Sequence, residues 1–596
     1  MWWDDGQSIG RGSLGSVALR KTSLTVAVLT ASLALAACTP APVAPTGPAG
    51  GSPGSGGGAP ASSPQTTPEP ARTGWGPLES DVEAATEAVA AMSLAEKAGQ
   101  VFVDYYTGTD PAAELAKAKR LHLGGVIVMG DNVPLAAGGS SGGGAAGEGA
   151  AGGASGVDTR KLAATTAKFQ KTLSAGRDWP GIVAVDQEGG MVARVKSPLT
   201  EWPSPMAYGA AGDTGLTARA QEAMDTELAA LGFTMNFAPD SDVTLGPADP
   251  VIGARSFSSD PEAVGEQTVA GIEGALAAGV LPSAKHFPGH GSVTTDSHVG
   301  LPVQDATLKE LKARDWQPFA RAIEAGTPMV MVGHIAVEAL EPGVPSSLSS
   351  ATYGALRDLG FEGVAVTDAL NMGAVEQSAP GGGAAVEALA AGADLLLMPT
   401  SIDEAHAAVV DAVESGDVPE ERLDEAATRV VAMMMWQGRM AKALDDGGRS
   451  LSSADPASSG DGASVARELA RASVTVVSGE CSGTLVGSAI RIAGGTAADR
   501  SRLAGAASDA GLTVGSGTLV TLLGGSHTPG SGDVVVSLDA PWGLASSTAG
   551  SKIALYGRTA ESFEALVGVL TGEREAPGKL PVAVGDFPAG MGCAPA

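Results

Sequence analysis

The sequence predicts an α/β chain: a (β/α)8 barrel of the TIM class, followed by a smaller three-layer α/β sandwich. Three observations carry this. From residue 76 to about 443, eight short apolar runs that read as strands alternate with amphipathic runs that read as helices. Titratable residues gather where those runs end, the arrangement expected at the C-terminal face of a barrel. A polar stretch over 444–463 interrupts the pattern, which resumes over 464–596 with a second set of elements. At 596 residues, two folded domains are expected. An open doubly wound sheet is the alternative for the first.

Leu19-Arg20-Lys21 precedes an apolar run, Leu24 to Ala37, and then Cys38. A basic flank and an apolar run too short to span a bilayer read as an export signal over 1–38. Asp4 and Asp5 are foreign to such a signal, so translation is expected to start near Val17. Leu35-Ala36-Ala37-Cys38 resembles a bacterial lipobox, which implies that Cys38 is lipidated and becomes the mature N-terminus. Residues 39–75 are Pro, Gly, Ser, Ala and Thr with almost no large apolar side chain. They cannot bury enough surface to fold and are expected to be a tether. Anchor and tether would place the folded part on the outer face of the cytoplasmic membrane, touching it through lipid alone.

The barrel strands are expected at Gln100–Tyr106, Gly124–Met129, Gly181–Asp186, Thr234–Ala238, Gly279–Ala284, Pro328–Gly333, Gly363–Thr367 and Leu395–Met398. The helices between them are expected at Thr159–Ser174, Thr214–Leu231, Pro261–Ala278, Leu308–Ala325, Ser350–Leu359 and Ala384–Ala391, with a closing helix over Asp403–Ser415. Residues 135–157 are a Gly/Ala/Ser low-complexity insertion. The second domain reads as helix Ser464–Ala472 with Ser464 as N-cap, strands Val474–Val477 and Ala489–Ala493, helix Ala497–Ala510, strands Thr518–Leu523, Asp533–Leu538 and Lys552–Tyr556, and helix Ala560–Leu570.

The formal net charge of -29 argues against a nucleic-acid partner, which needs a basic face. Three cysteines without a CxxC pair argue against a cysteine zinc site. With Cys38 lipidated, Cys481 and Cys593 remain in an oxidising compartment and could pair.

Of seven histidines, three fall in Lys285-His286-Phe287-Pro288-Gly289-His290-Gly291-Ser292-Val293-Thr294-Thr295-Asp296-Ser297-His298. His286 and His290 have the i, i+4 spacing of a helical zinc pair. Pro288-Gly289 between them breaks any helix, so no metal is expected. Asp296 and His298, two apart, point the same way in an extended segment, and the carboxylate could orient the imidazole and raise its basicity. The bland alternative is a solvated loop pair. Asp186 and Glu188, Asp240 and Asp242, His334 and Asp368 also follow strand ends. A carboxylate at Asp368 could be a nucleophile, a base or an electrostatic stabiliser. With His298 it could fill the two roles of a retaining glycosidase.

Together these segments resemble glycoside hydrolase family 3, in its bacterial β-N-acetylhexosaminidase subgroup. The likeness rests on Lys285 to Gly291 with Asp296-Ser297-His298, on Asp186-Gln187-Glu188-Gly189-Gly190, Val251 to Phe257, Pro345 to Ser349 and Thr367 to Met372. Pro577-Gly578-Lys579-Leu580-Pro581-Val582 is similar to the closing segment of two-domain members. The resemblance implies that Asp368 attacks the anomeric carbon. It implies that His298, assisted by Asp296, is the acid/base, and that Asp186, Arg194, Arg255, Lys285 and His286 hold N-acetylglucosamine. Met191 stands where the family usually has arginine. The implied substrate is a terminal β-linked N-acetylglucosamine on peptidoglycan fragments, and the implied mechanism needs no metal or organic cofactor. A β-N-acetylglucosaminide phosphorylase and an inactive sugar-binding lipoprotein are the rival readings.

Overall fold

Short, mostly apolar runs form eight parallel strands in the N-terminal part of the chain. This is seen in a computed structural model that describes residues 71–136, 156–376, 378–379, 381–447, 461–525 and 527–593. The strands are β1 (Phe102–Tyr105), β2 (Gly125–Ile127), β3 (Ile182–Val185), β4 (Met235–Asn236), β5 (Leu281–Pro282 and Ala284–Phe287), β6 (Met329–Val332), β7 (Val364–Thr367) and β8 (Leu396–Leu397). One ladder runs β8-β1-β2-β3-β4-β5 and a second runs β7-β6-β5. The strand β5 is broken at Ser283. Its first half pairs with β4, Met235 facing Leu281, and its second half pairs with β6, Val330 facing Ala284. A parallel bridge from Val366 to Leu395 brings β7 beside β8, so the curled sheet returns to its start.

Residues on both faces of these strands are buried, including Phe102, Val183, Phe287, Val330 and Val366. Strands covered on both faces read as continuous apolar runs rather than alternating ones, which is why they were legible as runs. Helices Thr159–Leu173, Thr214–Ala230 and Pro261–Ala277 cover the outside, each capped by an aspartate side chain at Asp158, Asp213 and Asp260.

Several expectations are corrected. The single helix over Leu308–Ala325 is two helices, Leu308–Ala313 and Gln317–Glu324. Pro318 cannot donate a backbone bond to the preceding turn, and Trp316, at the break, is buried against the Phe287 ring. The helix expected to open the C-terminal part with Ser464 as N-cap begins at Gly462, after Asp461. A 27-residue helix, Glu420–Asp446, continues past the expected boundary at 443. The folded chain also begins before residue 76: Arg72 bridges to Leu78 and Trp75 is buried. Residues 1–70, with the lipobox at Cys38 and most of the tether, lie outside the described residues, as do 137–155 of the insertion and 448–460 of the linker. The described ends of the insertion meet in a bridge from Leu135 to Val157.

A second sheet of six strands follows: β9 (Thr475–Ser478), β10 (Ala489–Gly494), β11 (Thr513–Val514), β12 (Thr518–Leu523), β13 (Val534–Ser537) and β14 (Ser551–Ala554). Its order is β9-β14-β13-β12-β10-β11, with only the β9–β14 pair antiparallel. Strand β11 went unseen in the sequence because it has two residues, both exposed. Cys481 and Cys593 form a disulfide, Cα–Cα 5.5 Å. The closing segment lies against the N-terminal part of the chain: Lys579 N–H donates to Ala210 O (2.9 Å) and Ser258 Oγ to Pro581 O (2.6 Å). Leu580 and Val582 join Met206, Leu216 and Phe257 in one apolar cluster.

Candidate active site

Most of the site's charged groups sit at or just beyond the ends of β3 to β7. After β3, Gln187–Gly189 pairs antiparallel with Val192–Ala193 in a short hairpin. The Gln187 amide donates to Val195 O (2.8 Å) and accepts from Val195 N–H (3.0 Å), which fixes the return strand. The hairpin thereby brings Arg194 back to Asp186, NH2 to Oδ2 3.6 Å. Met191 is exposed near its tip. A cavity of about 300 Å³ opens beside it, walled by Trp202, Arg502 and Arg558. None of the predicted site residues lines that cavity.

Glu188 is enclosed, with 1% of its side chain exposed. Arg255 donates to both of its oxygens, Nε at 2.9 Å and NH2 at 2.8 Å. Lys285 Nζ lies 2.7 Å from Glu188 and donates to Asp186 Oδ1 at 3.0 Å. Burial alone would raise the Glu188 carboxyl, but the two cations hold it well below its ordinary range. The reverse holds for Asp240. Burial, then the charge of Asp242, pushes it well above, even with Arg255 at 3.5 Å. Paired cations thus favour the ionised form of one buried carboxylate, while burial and a like charge favour the protonated form of its neighbour.

Lys285 and His286 are buried residues of β5. Asp242 Oδ2 accepts from His286 Nδ1 (2.7 Å) and from its backbone N–H (3.2 Å), and Oδ1 accepts from His290 N–H (2.5 Å). The ionised carboxylate only accepts, so Nδ1 of His286 carries a proton. The Phe287–Pro288 peptide is cis, and Gly289 takes φ +118° in the turn that follows. A Cβ at 289 would lie 2.6 Å from the Asp315 side chain, so only glycine fits there. The turn sets the His290 ring against His286, centroids 6.0 Å apart, without any helix.

Asp368 follows β7 directly, part-buried, and its Oδ1 accepts from Ala369 N–H at 2.7 Å. Burial alone would raise this carboxyl. The fields of His334 and His286, the Ala369 N–H and the field of His298 outweigh that and bring it to about 2. His334 Nε2 lies 2.9 Å from Ala369 O and so donates to it, and Nδ1 lies 2.7 Å from the Ser347 hydroxyl. The Pro345–Ser349 segment thereby fixes the residue after Asp368. Asp296 and His298 pair on the loop after β5, Nδ1 to Oδ1 2.8 Å, with His298 N–H on the same oxygen at 2.9 Å.

The structure therefore collects Asp186, Arg194, Arg255, Lys285, His286 and Asp368 at adjacent strand ends, and pairs Asp296 with His298 within electrostatic reach of Asp368. Glu188, Asp242 and His334 are legible in the sequence as strand-end groups, but their roles are not. What each does depends on partners far away in sequence. Among the described residues, one trio, Asp240, Asp242 and His286, has ligand atoms within 4.8 Å of one another. Asp242 spends both oxygens on histidine N–H groups, and the Arg255 guanidinium beside Asp240 opposes a cation there.

The profile of the glycosyl hydrolase family 3 N-terminal domain matches residues 93–433, more than half of the chain. The chain belongs to glycosyl hydrolase family 3. This family 3 chain is 34% identical over 305 residues to beta-hexosaminidase A of Pseudoalteromonas piscicida, covering 46% of the chain and 51% of the relative. The match thus spans about half of that relative's length. It is 38% identical over 247 residues to a beta-hexosaminidase of Stenotrophomonas maltophilia, covering 40% of the chain and 73% of the relative. The structure is similar to that of a family 3 beta-N-acetylglucosaminidase from a Paenibacillus species, with TM-score 0.72 and 28% identity. That likeness covers 83% of this chain and 99% of the other.

Proposed function

We propose that the chain is a retaining exo-β-N-acetylglucosaminidase that removes a non-reducing terminal N-acetylglucosamine. The observation that carries this is an ionised strand-end carboxylate, Asp368, within electrostatic reach of an aspartate–histidine dyad. Asp368 attacks the anomeric carbon while His298 gives its proton to the leaving oxygen, and a glycosyl ester on Asp368 results. His298, now neutral, takes a proton from water, which attacks the same carbon and frees Asp368. Asp296 holds the imidazole in one tautomer and stabilises it when charged. Asp186, Arg194, Lys285, His286 and the third nitrogen of Arg255 hold the sugar. Relatives named as hexosaminidases support the class of sugar.

We read the fold as a catalytic (β/α)8 barrel with a C-terminal α/β sandwich. The substrate proposed is peptidoglycan fragments, met by a lipoprotein anchored through Cys38 on the outer face of the cytoplasmic membrane. The test is hydrolysis of a chromogenic β-N-acetylglucosaminide. Release that disappears in Asp368→Ala and drops by about a hundredfold or more in His298→Ala supports the reading. Unchanged release in both variants overturns it.

A further inference from the structure

The dyad lies on a loop with few attachments. His298 is 66% exposed at its side chain, and among the described residues its imidazole is hydrogen-bonded only to Asp296 of the same loop. A pair that orients itself in this way still takes its position from the loop. Residues 294–300 are exposed or half-exposed except Ser297, at 2%. Among the described residues, the hydrogen bonds that leave this stretch both start from Ser297. Its Oγ is 3.0 Å from His290 Nε2, and its carbonyl accepts from Ala374 N–H at 3.3 Å.

Both partners belong to the site. His290 is buried, its N–H is on Asp242, and its ring lies against His286, which Asp242 also orients. Ala374 sits in the short helix Gly373–Glu376, just past Asp368. Ser297 is thus tied on one side to the β5 floor and on the other to the segment that carries the carboxylate.

We propose that Ser297 is a positioning residue that sets the Asp296–His298 dyad in register with Asp368, with His290 as its buried post. This rests on reading His298 as the acid/base. The Oγ–imidazole bond keeps the donor within reach of the leaving oxygen, and a displacement of about 1 Å there can cost a hundredfold in rate. Loss of the hydroxyl leaves nucleophile, dyad and sugar contacts chemically intact and moves only the placement of the proton.

The experiment compares kcat/KM for aryl β-N-acetylglucosaminides with a poor leaving group, 4-methoxyphenol, and an activated one, 2,4-dinitrophenol. The activated phenolate departs without protonation. Ser297→Ala is expected to slow the poor substrate by about ten- to a hundredfold and the activated one far less. His290→Leu should reproduce that pattern, and His290→Gln, which keeps an N–H near the Nε2 position, should recover much of the rate. Thermal melting confirms that each variant is folded. Equal losses on both substrates, or no loss on either, would overturn the proposal. His298→Ala, run alongside, separates the two ideas. If it lacks the leaving-group dependence, the acid/base reading fails and the proposal falls with it. If it shows the dependence and Ser297→Ala does not, only the positioning role fails.

Discussion

Glu188→Gln keeps the volume of a buried side chain and removes its charge. Arg255 and Lys285 then face each other across a neutral amide, with side chains only 14% and 3% exposed. Removing one partner of a buried ion pair costs about 3–5 kcal/mol, because the remaining charge stays desolvated. Two features favour the lower end. Lys285 keeps Asp186 at 3.0 Å. Asp240, pushed up partly by the Glu188 charge, ionises more readily 3.5 Å from Arg255 once that charge is gone. A loss of about 3 kcal/mol is expected. For a unit of the length matched by the family profile, 93–433, unfolding entropy at about 2.1 cal/mol/K per residue sums to about 0.7 kcal/mol/K, so the melting temperature should fall by about 4 °C. Asp240→Asn alone should cost little, because burial and the charges of Asp242 and Glu188 already disfavour the Asp240 carboxylate, but should cost more in the Glu188→Gln background. The assay is thermal unfolding of the four proteins of this double-mutant cycle near neutral pH. Strictly additive losses, or a Glu188→Gln protein that melts with the wild type, would refute the account of the network.

Three further outcomes are expected. Burial depresses the His290 imidazole to about 4. The unfolded chain therefore takes up a proton near pH 6.5 that the folded chain refuses. This stability is fully present above pH 6.5 and is lost as pH falls toward 4, by about 3 kcal/mol. Melting temperature against pH should be flatter over that window in His290→Leu. Opening the disulfide, which spans a sequence separation of 112, with Cys481→Ser should destabilise the C-terminal sheet by about 2–5 kcal/mol, read by calorimetry. Turnover in phosphate buffer should yield free N-acetylglucosamine, and a sugar 1-phosphate on chromatography would instead favour phosphorolysis.

Much of this could be read in the sequence, for physical reasons. Strands buried on both faces leave apolar runs such as Met329–Val332, and a carboxylate directly after one, as at Asp368, marks a strand end. The Asp296–His298 pair was legible because both partners lie within three residues. Lys285 was visible as a strand-end residue, but its grip on Glu188 was not, because 97 residues separate the two. The same holds for Asp242 with His286 and His290, and for Ser347 and His334. The helix break at 314–316 has a local sign in Pro318, at the start of the second helix, whereas the docking of Trp316 on Phe287 that goes with it is a tertiary contact with no local periodic signal. Strand β11 was too short to leave one.

The central claim is that Asp368 becomes covalently glycosylated. The most direct test is to trap that ester. The protein is incubated with a 5-fluoro derivative of N-acetylglucosaminyl fluoride, which forms the intermediate faster than it is hydrolysed, and is then digested and analysed by peptide mass spectrometry. The account predicts a single added sugar on the peptide containing Asp368, absent from Asp368→Ala. Turnover of a chromogenic substrate with no adduct, or an adduct on another residue, would contradict it.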